Sequence, residues 1–277
     1  MMDNPLVSVI IPCYNHGAYL ETAIDSVLRS DYNNYEIIVI NDGSTDNSTL
    51  RLLKNIRKPN THILHTENKG VANARNSGIA ESKGKYILPL DADDKISSKY
   101  ITEAVKVLEA DLDVGIVYSK ARLFGKKVGE WNLPSYSIER ILASNIIFCS
   151  AFFRKEGWKK VNGYKPDIPY GKEDWEFWLS LIESGANVYC LPETHFYYRI
   201  KTVSRDTMAV EGDKRKIINA YIYSLHKELY NKYLSNPLQL YQENIYLKTV
   251  LDRPEYKFLR KVLSPTIHFV KKVLKKP

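Results

Sequence analysis

Cysteine is scarce. Cys13, Cys149 and Cys190 are the three in 277 residues, and their odd number and wide separation argue against a disulfide framework or a zinc site. Long hydrophobic runs are missing, and no window approaches the ~18 apolar residues of a bilayer-spanning helix. The opening Met1-Met2-Asp3-Asn4-Pro5 lacks the basic and then apolar layout of a signal peptide. No RNP, helix-turn-helix or zinc-finger signature is present, so no nucleic acid partner is expected. Internal repeats and low-complexity linkers are absent too. A cytoplasmic globular protein is the expectation, possible membrane contact being peripheral only.

Charge is unevenly spread. Of the formal +8, the segment from Glu255 to Pro277 carries seven Lys/Arg against one acid, a net of +6, which leaves +2 for residues 1–254. In that tail Phe258, Leu259, Val262 and Leu263 form one apolar stripe, and Ile267, Phe269, Val270, Val273 and Leu274 another after Pro265. Basic residues beside such stripes are the composition of an interfacial amphipathic helix. Contact with the inner face of a membrane is therefore expected of the tail. Packing on the rest of the chain or on a second subunit would use the same stripes.

With 44% hydrophobic and 26% charged residues, the chain has the make-up of a folded protein of one large domain or two modest ones. Val7–Ile11, Glu36–Ile40, His62–His65 and Lys85–Leu90 read as short buried strands. Helical spacing runs through Ala18–Leu28, Leu50–Leu53 and Val71–Ala80, the second with Thr45 or Asp46 as N-cap. Alternation of this kind predicts an α/β fold with a mostly parallel sheet flanked by helices. Ligands in such sheets bind beyond the carboxyl ends of the strands, where Tyr14-Asn15, Asn41-Asp42 and Asp91–Asp94 fall. Further on, Val114–Tyr118, Ile147–Phe153 and Val188–Leu191 read as strands, and Glu173–Ile182 as a helix. From Met208 to Val250 the pattern is helical and tyrosine-rich, followed by two short basic helices.

Three acidic groups carry candidate chemistry. Asp91 and Asp93, two apart on an extended run, would aim both carboxylates into one cleft, and hard oxygen ligands suit Mg²⁺ or Mn²⁺. An acidic turn capping the next helix would use the same residues. Asp42, in Asn41-Asp42-Gly43-Ser44-Thr45-Asp46, suits either a turn or a carboxylate facing a nucleobase or ribose. Tyr14-Asn15 would add a stacking face and an amide. Asp174, with Glu173, at the start of a helix suits N-terminal capping on its own.

Pro12-Cys13-Tyr14-Asn15, then Asn41–Asp46, Glu67–Gly78 with its Ala74-Arg75-Asn76, Gly84–Ile87 leading into Asp91-Ala92-Asp93-Asp94, and finally Gly171–Trp178 follow one another in an order and spacing that resemble the family 2 glycosyltransferases. The resemblance covers about residues 5–205. It implies a GT-A type Rossmann-like catalytic domain over 1–205, with 206–277 a helical extension ending in the basic amphipathic tail. It also implies an inverting, metal-dependent transfer of a hexosyl or N-acetylhexosaminyl group from a nucleotide sugar, UDP being the family's common carrier. The acceptor would be a glycan or lipid-linked oligosaccharide in surface polysaccharide synthesis.

Carried over by motif, Pro12, Tyr14 and Asn15 line the nucleoside pocket, Asp42 faces the base and Arg75 lies near the nucleotide. Asp91, with Ala92, approaches the ribose, and Asp93 ligates Mn²⁺ or Mg²⁺ between the phosphates. Asp174 is the general base, with Glu173 the next candidate, and Trp175 is an acceptor contact. Lys201 stands about where many relatives carry a histidine near the metal, and would pair with the diphosphate instead. His195 reads as structural. A cation suits a leaving diphosphate, and a sugar hydroxyl needs a carboxylate to take its proton. A sugar-1-phosphate nucleotidyltransferase would want a glycine-rich phosphate loop after the first strand, which Pro12–Asn15 is not. The alternative is a non-catalytic nucleotide-sugar-binding scaffold on the same fold, against which the retention of Asp93 and Asp174 counts.

Overall fold

Val7–Cys13 (β1) is buried at every position but the half-buried Pro12, as befits a strand covered on both faces. In the computed structural model, which describes residues 4–169, 171–201, 213–234 and 236–256, β1 lies between Tyr35–Asp42 (β2) and Tyr86–Pro89 (β4). Thr61–Thr66 (β3) flanks β2, and all four strands are parallel. The register sets Cys13 opposite Asn41 and Asp42 opposite Thr66. The polar segments after these strands therefore meet at one edge.

Three helices link the parallel strands: Gly17–Leu28 (α1), Asn47–Asn55 (α2) and Val71–Glu81 (α3). Asp46 caps α2, accepting the Ser48 hydroxyl at 2.5 Å and the Thr49 amide at 2.7 Å. Those bonds to Ser48 and Thr49 draw its carboxyl down to about 2. α3 approaches the sheet through Gly78, where a Cβ would stand 2.5 Å from Ile40 Cδ1 and 2.9 Å from Ile10 Cγ2. Only glycine lets the helix sit that close.

Beyond β4 the sheet becomes mixed. Its order is β3-β2-β1-β4-β8-β6-β9-β5, with β7 on β6; here β5 is Lys95–Ile96, β6 Val114–Gly125, β7 Gly129–Trp131, β8 Phe152–Arg154 and β9 Asn187–Ile200. β8 is antiparallel to both β4 and β6 and joins the two halves. β6 and β9 run parallel over their length with register shifts around Ile116 and Lys120. Irregularities of this kind bend and twist a strand pair. They carry the end of β9 to β5, where Tyr197 pairs with Lys95, directly after the acidic segment Asp91–Asp94. The strand expected over Ile147–Phe153 is confined to Phe152–Arg154. Residues 145–150 instead form a loop, because Asn145, Cys149 and the Ser150 carbonyl bond to neighbours other than strands.

The remaining helices are Tyr100–Ala110 (α4), Ile138–Ala143 (α5), Lys155–Lys160 (α6), Glu173–Glu183 (α7) and Asp213–Leu225 (α8). α7 is buried on nearly all sides, with Phe177 stacked 4.0 Å from Tyr164 and edge-on to Phe153 at 4.9 Å. α8 buries Ile218 and Ile222. The buried His226 after it lies 2.7 Å from Glu183 and 3.4 Å from Glu176. Burial opposes the charge on Glu176, but His226, Lys165 and Ser180 outweigh it and hold the carboxyl below its ordinary value. His195 of β9 meets Ser97 Oγ at 2.6 Å and stacks on Tyr100, a structural place.

One compact unit runs to Lys227 and a second begins at Glu228, whereas the motifs suggested a division after 205. The second unit holds most of Lys227–Tyr233 (α9) and all of Pro237–Leu251 (α10), the latter capped by Asn236, whose side chain accepts the Leu238 amide. No helix among the described residues is long and apolar enough to cross a membrane. Two of the expectations fall on residues 257–277, the basic helices and the amphipathic tail, and both lie outside the described residues.

Gly78→Val forces a branched side chain between α3 and the sheet. We expect a loss of about 1–3 kcal/mol, as overpacked cores show, read as a lowered denaturant midpoint. An unchanged midpoint would mean that α3 does not need this close approach.

Candidate active site

The Asp94 amide donates to the Asp91 carbonyl at 3.0 Å, so Asp91–Asp94 is a turn. The run is therefore not extended, and each carboxylate has a partner of its own. Asp91 Oδ1 accepts Arg75 Nη2 at 2.8 Å, and its Oδ2 accepts the Cys149 thiol at 3.3 Å. Asp93 points elsewhere, its Oδ2 lying 2.5 Å from Lys201 Nζ. Asp94 is buried, with Oδ1 accepting the Arg199 amide at 2.8 Å. Burial, then Asp93 and Asp91, push its carboxyl well above the ordinary range.

Arg75 is 1% exposed and lies between two acids, Asp91 on one side and Glu173 Oε1, 3.0 Å away, on the other. Its guanidinium also lies 5.5 Å from the centre of the Tyr164 ring. Burial works against its charge, but Asp91 and Glu173 more than offset that and raise its pKa. Its planar fork ties the acidic turn to α7. Removing one partner of such a buried pair typically costs about 3–5 kcal/mol. Burial, with Asp91 next, also pushes the Cys149 thiol well up, so it serves as a donor and not as a thiolate.

Asp174 stands in the first turn of α7. Its Oδ1 accepts the Trp175 amide at 2.8 Å and its Oδ2 accepts Asn145 Nδ2 at 2.9 Å. Burial, then the charge of Glu173, raise the carboxyl to about 6, near the range a base at neutral pH requires. Glu173 is committed to Arg75. Trp175 is 5% exposed and donates Nε1 to the Ile141 carbonyl at 2.7 Å. This corrects its expected role as a platform for an acceptor sugar, because its faces are enclosed by the core.

At the other strand ends Tyr14 is 44% exposed, an open ring beside Pro12. Asn15, at φ 55, bonds through Oδ1 to the amides of Thr45 and Asp46 and through Nδ2 to Thr45 Oγ1. It thereby latches the loop after β1 to the loop after β2. Asp42 is buried, its two oxygens accepting the amides of Lys69 and Gly70 at 3.0 and 3.1 Å. Asp42 thus shapes the rim leading into α3. Ala92 is buried beneath the acidic turn.

Asp93 is the carboxylate that the resemblance assigns to a metal. Among the described residues no group of three or more His, Cys, Asp or Glu side chains could hold one. The donor set fits an ion that shares phosphate oxygens with one or two carboxylates, as Mg²⁺ commonly does; it does not fit an all-protein cage. Sequence reasoning missed His16, Asn145, Cys149 and Arg199. His16 beside the Tyr14-Asn15 motif carried a local signal. Asn145 and Cys149 carried none, because Asp174 and Asp91, the acids they bond, lie 29 and 58 positions away.

The description "Glycosyl transferase family 2" matches residues 8–164. A chondroitin synthase of Pasteurella multocida is 30% identical over 187 residues, which is 65% of this chain and 19% of that protein. The chain thus spans about a fifth of that relative's length. An uncharacterized glycosyltransferase of Haemophilus influenzae is 28% identical over 98% of this chain and 92% of its own length. Among solved structures, residues 1–349 of S. aureus TarS in complex with UDP-GlcNAc superpose with a TM-score of 0.68 at 17% identity, covering 84% of this chain and 68% of that one. The mannosyltransferase PcManGT of Pyrobaculum calidifontis, in complex with GDP-Man and Mn²⁺, gives a TM-score of 0.56 at 17% identity, covering 99% and 88%. The shared fold is of the GT-A type. Matched over more than half its residues, the chain belongs to glycosyl transferase family 2.

Proposed function

We propose that the chain is an inverting glycosyltransferase that moves a hexosyl or N-acetylhexosaminyl group from a UDP-sugar to a glycan or lipid-linked oligosaccharide in surface polysaccharide synthesis. The observation that carries this reading is Asp174. It is a carboxyl raised to about 6, oriented by Asn145, and tied through Glu173 and Arg75 to the acidic turn at the nucleotide end of the sheet. Family membership supports the reaction class. The UDP-GlcNAc bound to TarS supports the choice of uridine, and synthesis of chondroitin by a relative supports a glycan acceptor.

In this reading Tyr14 stacks on the base, with Pro12, Asn15, Asp42 and Ala92 shaping the pocket around it. Asp91 faces the ribose, oriented by the buried Arg75. Asp93 would hold Mn²⁺ or Mg²⁺ together with the donor phosphates, and the ion would supply charge neutralisation for the leaving diphosphate. Asp174 takes the proton of the acceptor hydroxyl as its oxygen bonds to the anomeric carbon. The bond from that carbon to the phosphate oxygen breaks on the opposite face, and the nucleoside diphosphate departs. One displacement inverts the centre and requires only one base.

Asp174→Asn should reduce transfer about 10²–10⁴-fold, the usual contribution of a general base, and leave UDP binding intact. In the parent, kcat/KM should fall as pH drops through about 6, because the base acts only when deprotonated. Transfer by the variant at the parent rate would refute this role.

By calorimetry, Tyr14→Ala should weaken UDP binding by about 1–3 kcal/mol, the range for base–aromatic stacking. Asp93→Asn should remove the part of UDP affinity that depends on Mn²⁺. Unchanged affinities would move the nucleotide elsewhere.

A peripheral membrane contact through the basic tail is proposed from composition alone. Each Lys or Arg near an anionic surface contributes about 1 kcal/mol, and the tail has seven. In low salt the full chain should co-sediment with anionic liposomes, and a chain ending at Asp252 should not. Equal behaviour of the two forms would exclude the anchor.

A further inference from the structure

The Lys201 ammonium lies in a cradle of three groups. Asp93 Oδ2 is 2.5 Å away, His16 Nε2 is 3.3 Å away, and the Tyr19 ring centre lies at 5.6 Å. A carboxylate, an imidazole nitrogen and an aromatic face are together a site for a cation, and here the chain's own lysine fills it. The side chains of Lys201 and Asp93 are 18% and 14% exposed, so solvent screens the pair only in part. The backbone leading into Lys201 is held as well. Arg199 donates its amide to Asp94 Oδ1 and its Nε to the Asp93 carbonyl, both at 2.8 Å. Its guanidinium covers Phe124 at 4.4 Å and Tyr19 at 4.8 Å. The end of β9 thus delivers the ammonium to Asp93 by construction.

We infer that Lys201 is the resident counter-cation of Asp93: it keeps divalent ions out of the empty donor pocket and passes to the diphosphate when the nucleotide enters. This rests on reading the site as a nucleoside-diphosphate-sugar pocket. The physical reason is charge. A divalent ion approaching a carboxylate already neutralised by an ammonium gains little attraction and meets repulsion at a few ångströms. A nucleoside diphosphate brings negative charge of its own and competes for the ammonium, whose four-carbon stem and rotatable donors let it turn from carboxylate to phosphate. Asp93 is then free to share an ion with the phosphates. Metal binding and nucleotide binding become coupled, and coupling of this kind is reciprocal.

The test is Mn²⁺ titration of the full chain, followed by the paramagnetic signal of the free ion, with and without saturating UDP. The parent should bind Mn²⁺ weakly alone and far more tightly with UDP. Lys201→Met should bind Mn²⁺ without nucleotide at least about tenfold more tightly than the parent, the order expected for removing a unit charge from beside the ion. Its metal-free affinity for UDP should fall about tenfold, since it lacks the phosphate's cation. Lys201→Arg keeps the charge and should bind Mn²⁺ as weakly as the parent. Thermal unfolding reports whether each variant is folded. Equal nucleotide-free Mn²⁺ affinity in the parent and Lys201→Met overturns the inference, as does an arginine variant that behaves like the methionine one. A parent that bound no UDP with or without Mn²⁺ would defeat the donor reading, while the nucleotide-free comparison would still decide the role of Lys201.

Discussion

A guanidinium withdrawn from water between two carboxylates is the contact on which the site depends. Arg75 projects from α3, takes Asp91 on one side and Glu173 on the other, and is 1% exposed. Three separate pieces of chain are thereby held in one relation: the helix, the turn after β4 and the start of α7. A buried charge with one partner removed is strongly unfavourable, so each piece requires the other two. The approach that makes this possible is steric, since Gly78, one turn beyond Arg75, lets α3 lie against Ile10 and Ile40.

Five carboxylates crowd this end of the sheet, and their environments differentiate them. Asp91 and Glu173 share the one charge of Arg75, and Asp93 pairs with Lys201. Asp94 is enclosed and pushed toward its neutral form by burial and by its neighbours Asp93 and Asp91. Asp174 alone combines partial exposure, an amide partner in Asn145 and a carboxyl raised to about 6. Like groups acquire unlike tasks through desolvation and neighbouring charge. Chemistry needing both a base and a cation-binding acid has its two candidates separated in this way.

The mixed half of the sheet supplies what the parallel half lacks. β6 and β9 are long, parallel and locally out of register, and their bend brings residues near position 200 back to residues near 93. Arg199 and Lys201 reach the acidic turn by this route. The loop 145–150 works similarly, sending Asn145 to Asp174 and Cys149 to Asp91. Both connections join residues far apart in the chain.

Much of the framework was legible from local pattern. The buried run Val7–Ile11 marked β1, helical spacing over Val71–Ala80 marked α3, and Glu173–Ile182 marked α7, because burial on one or two faces imposes a period on the residues themselves. The Asn41–Asp46 and Asp91–Asp94 segments marked the candidate edge through turn chemistry and acid content. Which way each side chain faces was not legible. The pairing of Asp91 with Arg75, of Arg75 with Glu173 and of Asp93 with Lys201 has no mark in the local pattern, and Trp175 reads as a platform although the core encloses it. The sequence by itself determined the elements of the parallel half and α7, the family and the set of charged groups at one edge. The tertiary structure alone decided the pairing of those charges, because electrostatic partnership depends on distance and dielectric in three dimensions, and neither is encoded by neighbours along the chain.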